Sequence, residues 1–121
     1  MGMVALTVDD SKTIREMVSF TLKNSGFEVI EAEDGKHALE VLQGKTVNVI
    51  ITDLNMPNMN GIELIRALRS DPNFKFTPIL MLTTEGDASK KNEGKEAGAT
   101  GWIVKPFNPE KLVQVVSKVI A

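Results

Sequence analysis

Residues 50–57 read Ile-Ile-Thr-Asp-Leu-Asn-Met-Pro, an apolar, β-branched run that ends on an acid, Asp53, and meets a proline four residues later. A short apolar run closed by turn-forming residues is the pattern of a buried strand, and Pro57 prevents its continuation as a helix. The same pattern recurs outward from this stretch. Apolar runs at 3–8, 27–30, 47–52, 79–82 and 102–104 predict five strands. Between them the spacing turns helical: Ile14, Met17, Val18 and Leu22; Ala38, Leu39, Val41 and Leu42; Ile62, Ile65 and Leu68; Leu112, Val115, Val116 and Val119, with a weaker helix over 88–97. Gly26, Gly44 and Gly98 stand where helices should stop, and Pro109 where the last should start. Strict alternation of strand and helix requires parallel strands, right-handed crossovers and helices on both faces. The expected fold is α/β, a five-stranded parallel doubly wound sheet.

A chain of 121 residues matches one compact domain, expected to fill 1–121 with no output module attached. At 42% hydrophobic and 25% charged residues it reads as a soluble globular protein, and no apolar run approaches the length needed to span a bilayer. Cysteine is absent, which excludes disulfides and thiolate metal sites, and the amino-terminal residues lack the features of a signal peptide. A cytoplasmic location is expected. With a net charge of -2 and basic residues dispersed among acids, neither nucleic acid nor an anionic membrane is an expected partner.

In doubly wound sheets, ligands bind beyond the carboxyl ends of the strands, near the point where strand order reverses. Those ends carry Asp9-Asp10-Ser11, Asp53-Leu54-Asn55, Thr83-Thr84-Glu85 and Lys105-Pro106-Phe107. Read singly, each has an ordinary role: Asp10 or Ser11 caps a helix, Asp53 is a turn acid, Thr83 a strand-end threonine and Lys105 a surface lysine. Read together they differ. Adjacent acids near a third repel unless a divalent cation or a lysine offsets them, and magnesium suits carboxylates that leave room for water and phosphate oxygens. Asp53, central in the sheet, is best placed to act as a carboxylate nucleophile toward a phosphoryl group, and Pro106 can set a cis peptide beside Lys105. His37 and the lysines Lys90, Lys91 and Lys95 among Asp87, Glu93 and Glu96 read as solvated helix faces.

Asp9-Asp10, Asp53 with Met56-Pro57 and Gly61, Thr83, and Lys105-Pro106-Phe107, in that order, resemble the motifs of a response-regulator receiver domain. The likeness covers nearly the whole chain, and "NMPNMNGIEL" and "GWIVKPF" are similar to the single-domain chemotaxis (CheY-like) type. The resemblance implies a flavodoxin-like (βα)5 fold with strand order 2-1-3-4-5. It implies that Asp53 accepts a phosphoryl group from a histidine kinase, and that Asp9 or Asp10, Asp53 and the backbone carbonyl of Asn55 hold Mg2+. Thr83 and Lys105 would then meet phosphoryl oxygens. Trp102 stands where the family often has a tyrosine or phenylalanine that changes rotamer on activation. Thr84 replaces a common alanine or glycine, while Asn55 and Glu85 occupy positions that tune phosphate lifetime. The implied protein is a monomeric switch, catalysing only its own phosphorylation and dephosphorylation. Its partners would be a histidine kinase, a downstream signalling or flagellar-motor protein, and a phosphatase, with a docking face running from the fourth helix to the fifth.

Three other readings compete. An aspartate-nucleophile phosphatase of the haloacid-dehalogenase type usually has a second acid two residues after the nucleophile, where this chain has Asn55. A flavin-binding flavodoxin-like protein needs a Ser/Thr/Gly-rich phosphate loop, but these strand ends are acidic. A pure interaction module would not require every reactive position to be filled.

Overall fold

The computed structural model describes residues 3–84 and 88–120. Its order is β1 (Val4–Val8), α1 (Lys12–Asn24), β2 (Glu28–Ala32), α2 (Gly35–Leu42), β3 (Val49–Asp53), α3 (Gly61–Arg69), β4 (Ile79–Thr84), α4 (Ala88–Ala97), β5 (Gly101–Lys105) and α5 (Pro109–Ile120). The strands form one parallel sheet in the order β2-β1-β3-β4-β5, as the resemblance implied. Chain direction across the sheet reverses between β1 and β3, so the crevice above their carboxyl ends is the topological switch point.

Side-chain alternation along the central strands divides the core into two layers. Leu6, Ile50, Ile79 and Met81 face one side and pack with Leu42, Leu64, Ile65 and Leu68 of α2 and α3. Ala5, Val49, Ile51, Leu80 and Leu82 face the other and pack with Val18 and Leu22 of α1 and Leu112 and Val116 of α5. All five residues of β3 are buried, which explains its unbroken apolarity up to Asp53.

Four of the five strands, β2 to β5, run further toward their carboxyl ends than expected. β2 runs on to Ala32, because pairing of Thr7 with Glu31 and Val8 with Ala32 continues past the apolar run at a sheet edge that tolerates acids. β3 begins at Val49, since Asn48 turns its side chain back to accept from the Val4 amide at 2.8 Å. At the other end the ladder extends through Asp53 paired with Leu82, Thr83 with Val104, and Thr84 with Lys105. Asp53, Thr83, Thr84 and Lys105 are therefore among the last rungs of the sheet rather than loop residues beyond it.

Gly26, Gly44 and Gly98 all adopt positive φ just after α1, α2 and α4, the left-handed geometry that closes a helix without a Cβ penalty. At the opposite end of the sheet from the switch point, the Arg69 guanidinium donates to the carbonyls of Gly98 (2.9 Å), Phe74 (3.0 Å) and Thr77 (2.7 Å), tying α3, α4 and the α3–β4 loop together. The weak helix expected at 88–97 forms, although its sequence is polar; Gly94 is its buried contact, lying against the Met81 thioether. Among the described residues no helix is long and apolar enough to cross a membrane.

Candidate functional site

The acidic pair leaves β1 in two different environments. Asp9 is only 1% exposed. Its amide donates to the Ala32 carbonyl (3.1 Å) and its Oδ1 accepts from the Ser11 amide (2.9 Å), so both backbone and carboxylate are oriented. Asp10 is exposed. The helix cap proves to be Ser11, whose Oγ accepts from the Ile14 amide at 3.3 Å, which leaves Asp10 free of capping duty.

Asp53 closes the third corner. Its Oδ1 accepts from the Leu54 amide at 2.9 Å and from Lys105 Nζ at 2.8 Å, while Lys105 Nζ lies 3.6 Å from Asp9 Oδ2. The Lys105–Pro106 peptide is cis. Carboxylate oxygens of Asp9, Asp10 and Asp53 all lie within 4.8 Å of one another. The loop after β3 returns so closely that a Cβ at Gly61 would overlap the Asp53 carbonyl oxygen and lie 3.2 Å from Leu54 Cα. The glycine in this motif is thus required by backbone approach at the acid itself.

Burial lifts the Asp9 carboxyl above its ordinary value; the Ser11 amide opposes this, the Asp53 charge reinforces it, and Lys105 opposes it more weakly. For Lys105, burial pulls downward, but hydrogen bonding and attraction to Asp53, together with the Asp9 charge, outweigh it and hold the ammonium above its ordinary value. Asp9 Oδ2 and Thr83 Oγ1 are buried with no hydrogen-bond partner among the described residues; Asp9 Oδ2 has only the longer ionic contact with Lys105. A buried carboxylate oxygen short of a partner, in a set of three converging carboxylates, fits a hard divalent cation such as magnesium.

The expected residues do not all come together. Asp9, Asp10, Asp53 and Lys105 converge, and Thr83 lies in the adjoining strand one residue past Leu82, the partner of Asp53. Thr84 and Asn55 are exposed beside them. Trp102 lies near the start of β5, 39% exposed, with Lys91 Nζ of α4 at 5.8 Å from its ring centre. Glu85 and Asp87 lie outside the described residues. His37 is half-buried, not simply solvated: its Nδ1 accepts from the Glu33 amide at 3.1 Å, because the turn into α2 folds back over the ring.

Two supporting groups escaped the sequence reading. Asp34 caps α2 by accepting from the His37 amide at 2.8 Å and also accepts from the Asn58 side chain at 2.8 Å, tying the β3–α3 loop to α2. Arg15 Nη1 donates to the Asp9 carbonyl at 2.7 Å. Its only sequence signal is a charged residue on the apolar stripe of α1 that includes Val18 and Leu22. A groove of about 480 Å³ between α1 and α5, lined by Phe20, Pro109 and Val113, is roomy but holds none of the converging charges.

The sequence profile described as "Response regulator receiver domain" matches residues 5–117. The chain is 44% identical over 120 residues to the chemotaxis protein CheY1 of Helicobacter pylori, covering 98% of this chain and 97% of that one. It is 39% identical over 118 residues to the chemotaxis protein CheY of Pseudomonas aeruginosa, covering 97% and 95%. The structure of chemotaxis response regulator CheY4 of Vibrio cholerae matches with a TM-score of 0.93 at 53% identity, over 98% of this chain and 99% of that one. Fold, converging strand ends and sequence agree: this chain belongs to the response regulator receiver domain family.

Proposed function

We propose that the chain is a phosphorylation-activated chemotaxis switch in which Asp53 accepts a phosphoryl group from a histidine kinase. The observation that carries this reading is the ion pair of Lys105 with Asp53 at 2.8 Å inside a cluster of three carboxylates. Among the described residues both bonds to the Asp53 carboxylate fall on Oδ1, so Oδ2 is the oxygen assigned to attack phosphorus. The Oδ2–P bond forms as the P–N bond to the donor histidine breaks, and the electron pair returns to the imidazole, which takes up a proton. Lys105 and the buried Thr83 hydroxyl then have phosphoryl oxygens to bind.

Asp9, Asp10, Asp53 and the Asn55 backbone carbonyl would hold Mg2+, which when bound neutralises the acids and the incoming phosphoryl oxygens. The acyl phosphate carries about two negative charges where the carboxylate carried one, and presents three acceptor oxygens, enough to draw Thr83 and Lys105 into new bonds and bias a docking face. Asn55, Thr84 and Glu85 are assigned to tuning the phosphate lifetime, and Trp102 to the switching surface. The unit is proposed to act in the cytoplasm as a monomeric single domain over 1–121. Its proposed partners are a histidine kinase, a flagellar-motor or other signalling protein, and a phosphatase; the chemotaxis names of the relatives support that choice.

The test is incubation with Mg2+ and acetyl phosphate, read by intact mass and Trp102 fluorescence. A mass gain of one phosphate that disappears in Asp53→Asn and without Mg2+ is the expected result. A folded wild type that gains no mass overturns the proposal, and rapid turnover of varied phosphate esters points instead to a phosphatase.

A further inference from the structure

Arg15 stands between the sheet edge and the acidic pair. It sits one turn into α1 with its side chain 15% exposed. One arm of its guanidinium donates to the Asp9 carbonyl at 2.7 Å, and Nε donates to Glu31 Oε1 at 3.0 Å. Glu31 is fixed in turn by the Ser19 hydroxyl, which donates to its other oxygen at 3.0 Å. Glu31 lies on β2, paired with Thr7 two residues before Asp9. The Asp9 backbone is therefore held on both sides of its Cα, the N–H by Ala32 and the C=O by Arg15.

We propose that Arg15, oriented by Glu31 and Ser19, is a positioning residue that sets the direction of the Asp9 and Asp10 carboxylates toward a bound divalent cation. The inference rests on the magnesium reading of the acidic cluster. It assigns Arg15 no contact with metal or phosphate. A guanidinium suits this place because its planar fork serves a carbonyl and a carboxylate at fixed angles, whereas an ammonium presents a single point of charge. Glu31 offsets most of the Arg15 charge, so the residue contributes geometry rather than net potential.

The sign of one measurement separates positioning from charge. If Arg15 were only a nearby cation, removing it would tighten Mg2+ binding by relieving repulsion. If it positions the ligands, removing it weakens binding, by about tenfold on the scale seen when an outer-shell partner of a metal ligand is lost.

The experiment is isothermal titration of the intact protein with MgCl2 for wild type, Arg15→Gln, Arg15→Lys and Glu31→Gln, with urea unfolding in EDTA as the stability control. The expected result is a dissociation constant raised about tenfold in Arg15→Gln and not rescued by Arg15→Lys. Glu31→Gln should show a smaller rise that is non-additive with Arg15→Gln in the double variant. The acetyl phosphate reaction should recover to within about twofold of wild type at saturating Mg2+, because ligand geometry alters the metal requirement rather than the Asp53 nucleophile.

Unchanged or tighter Mg2+ binding in Arg15→Gln overturns the proposal and leaves Arg15 as a staple of α1 to β2. If Arg15→Gln does not fold, Glu31→Gln and Ser19→Ala carry the same test, and unchanged affinity in both overturns it equally. Failure of the wild type itself to bind Mg2+ defeats the underlying site reading and is visible before any variant is made.

Discussion

Replacing Lys105 with methionine removes the ammonium while keeping most of the aliphatic stem, so the change isolates charge from packing. At an effective dielectric near 20, the attraction of Nζ to Asp53 at 2.8 Å is about 6 kcal/mol and to Asp9 at 3.6 Å about 5 kcal/mol. These gross energies are largely cancelled by the desolvation of the same groups. Removing one partner of a buried ion pair costs about 3–5 kcal/mol net, and a lysine that is 21% exposed belongs at the lower end, about 3 kcal/mol.

The pH dependence follows from the two shifted groups. Lys105 has a folded value above its ordinary one, so its stabilisation is fully present below the ordinary lysine value and is lost only as pH rises through the raised one. Asp9 also has a raised folded value. Ionising it costs stability as pH rises through that value, and loss of Lys105 raises it further. Lys105→Met should therefore be destabilised at pH 7 without Mg2+ and recover toward wild type as pH falls through the raised carboxyl value. Urea unfolding at pH 7 and at successively lower pH measures this, with a midpoint loss of about 1.5 M at pH 7 for a slope of about 2 kcal/mol/M. Equal midpoints at pH 7, or a deficit that does not change with pH, would refute the electrostatic account of the cluster.

Gly61→Ala should cost about 1–3 kcal/mol in urea unfolding, since the new methyl meets the backbone of Asp53 and Leu54 instead of a flexible side chain; an unchanged curve would show that the loop yields freely. Asp34→Ala should cost about 1–2 kcal/mol through loss of the α2 cap and the Asn58 bond. The Asp34 carboxyl is held below its ordinary value, first by the His37 amide and then by Asn58. Its contribution is therefore present above the ordinary carboxylate range and lost as pH falls through the lowered value, so the wild-type and variant curves should converge in acid. Lys91→Ala should change Trp102 emission while costing no more than about 1 kcal/mol, because the pair lies at an exposed site; identical spectra would place Lys91 away from the ring in solution.

Much of the candidate site was legible because its residues sit at the carboxyl ends of apolar runs. Asp53 could be read as the end of a buried strand from the unbroken run before it, and Lys105 from its place before Pro106. The strand limits were less legible. Nothing in Phe27 to Ile30 announces that pairing continues to Ala32, since an edge strand tolerates Glu28 and Glu31 without breaking its ladder. His37 read as a solvated residue because its bond to the Glu33 amide depends on how tightly the turn into α2 closes. The contacts of Arg15, Glu31 and Asn58 had little local signal, because each reaches an element 16 or more residues away or a loop carbonyl.

The amino-acid sequence alone determined the alternation of strands and helices, and with it a parallel sheet. It also placed acids, hydroxyl and amine at strand ends, because periodicity and punctuation are local properties of the chain. Tertiary structure decided which of these groups touch. The proximity of Asp9 to Asp53 and the span of Lys105 between them arise from β1, β3, β4 and β5 lying in one ordered sheet. The burial that raises the Asp9 carboxyl and the requirement for glycine at 61 likewise exist only once distant segments are packed together. Charge and shape at the end of IITDLNMP are properties of four strands, not of one.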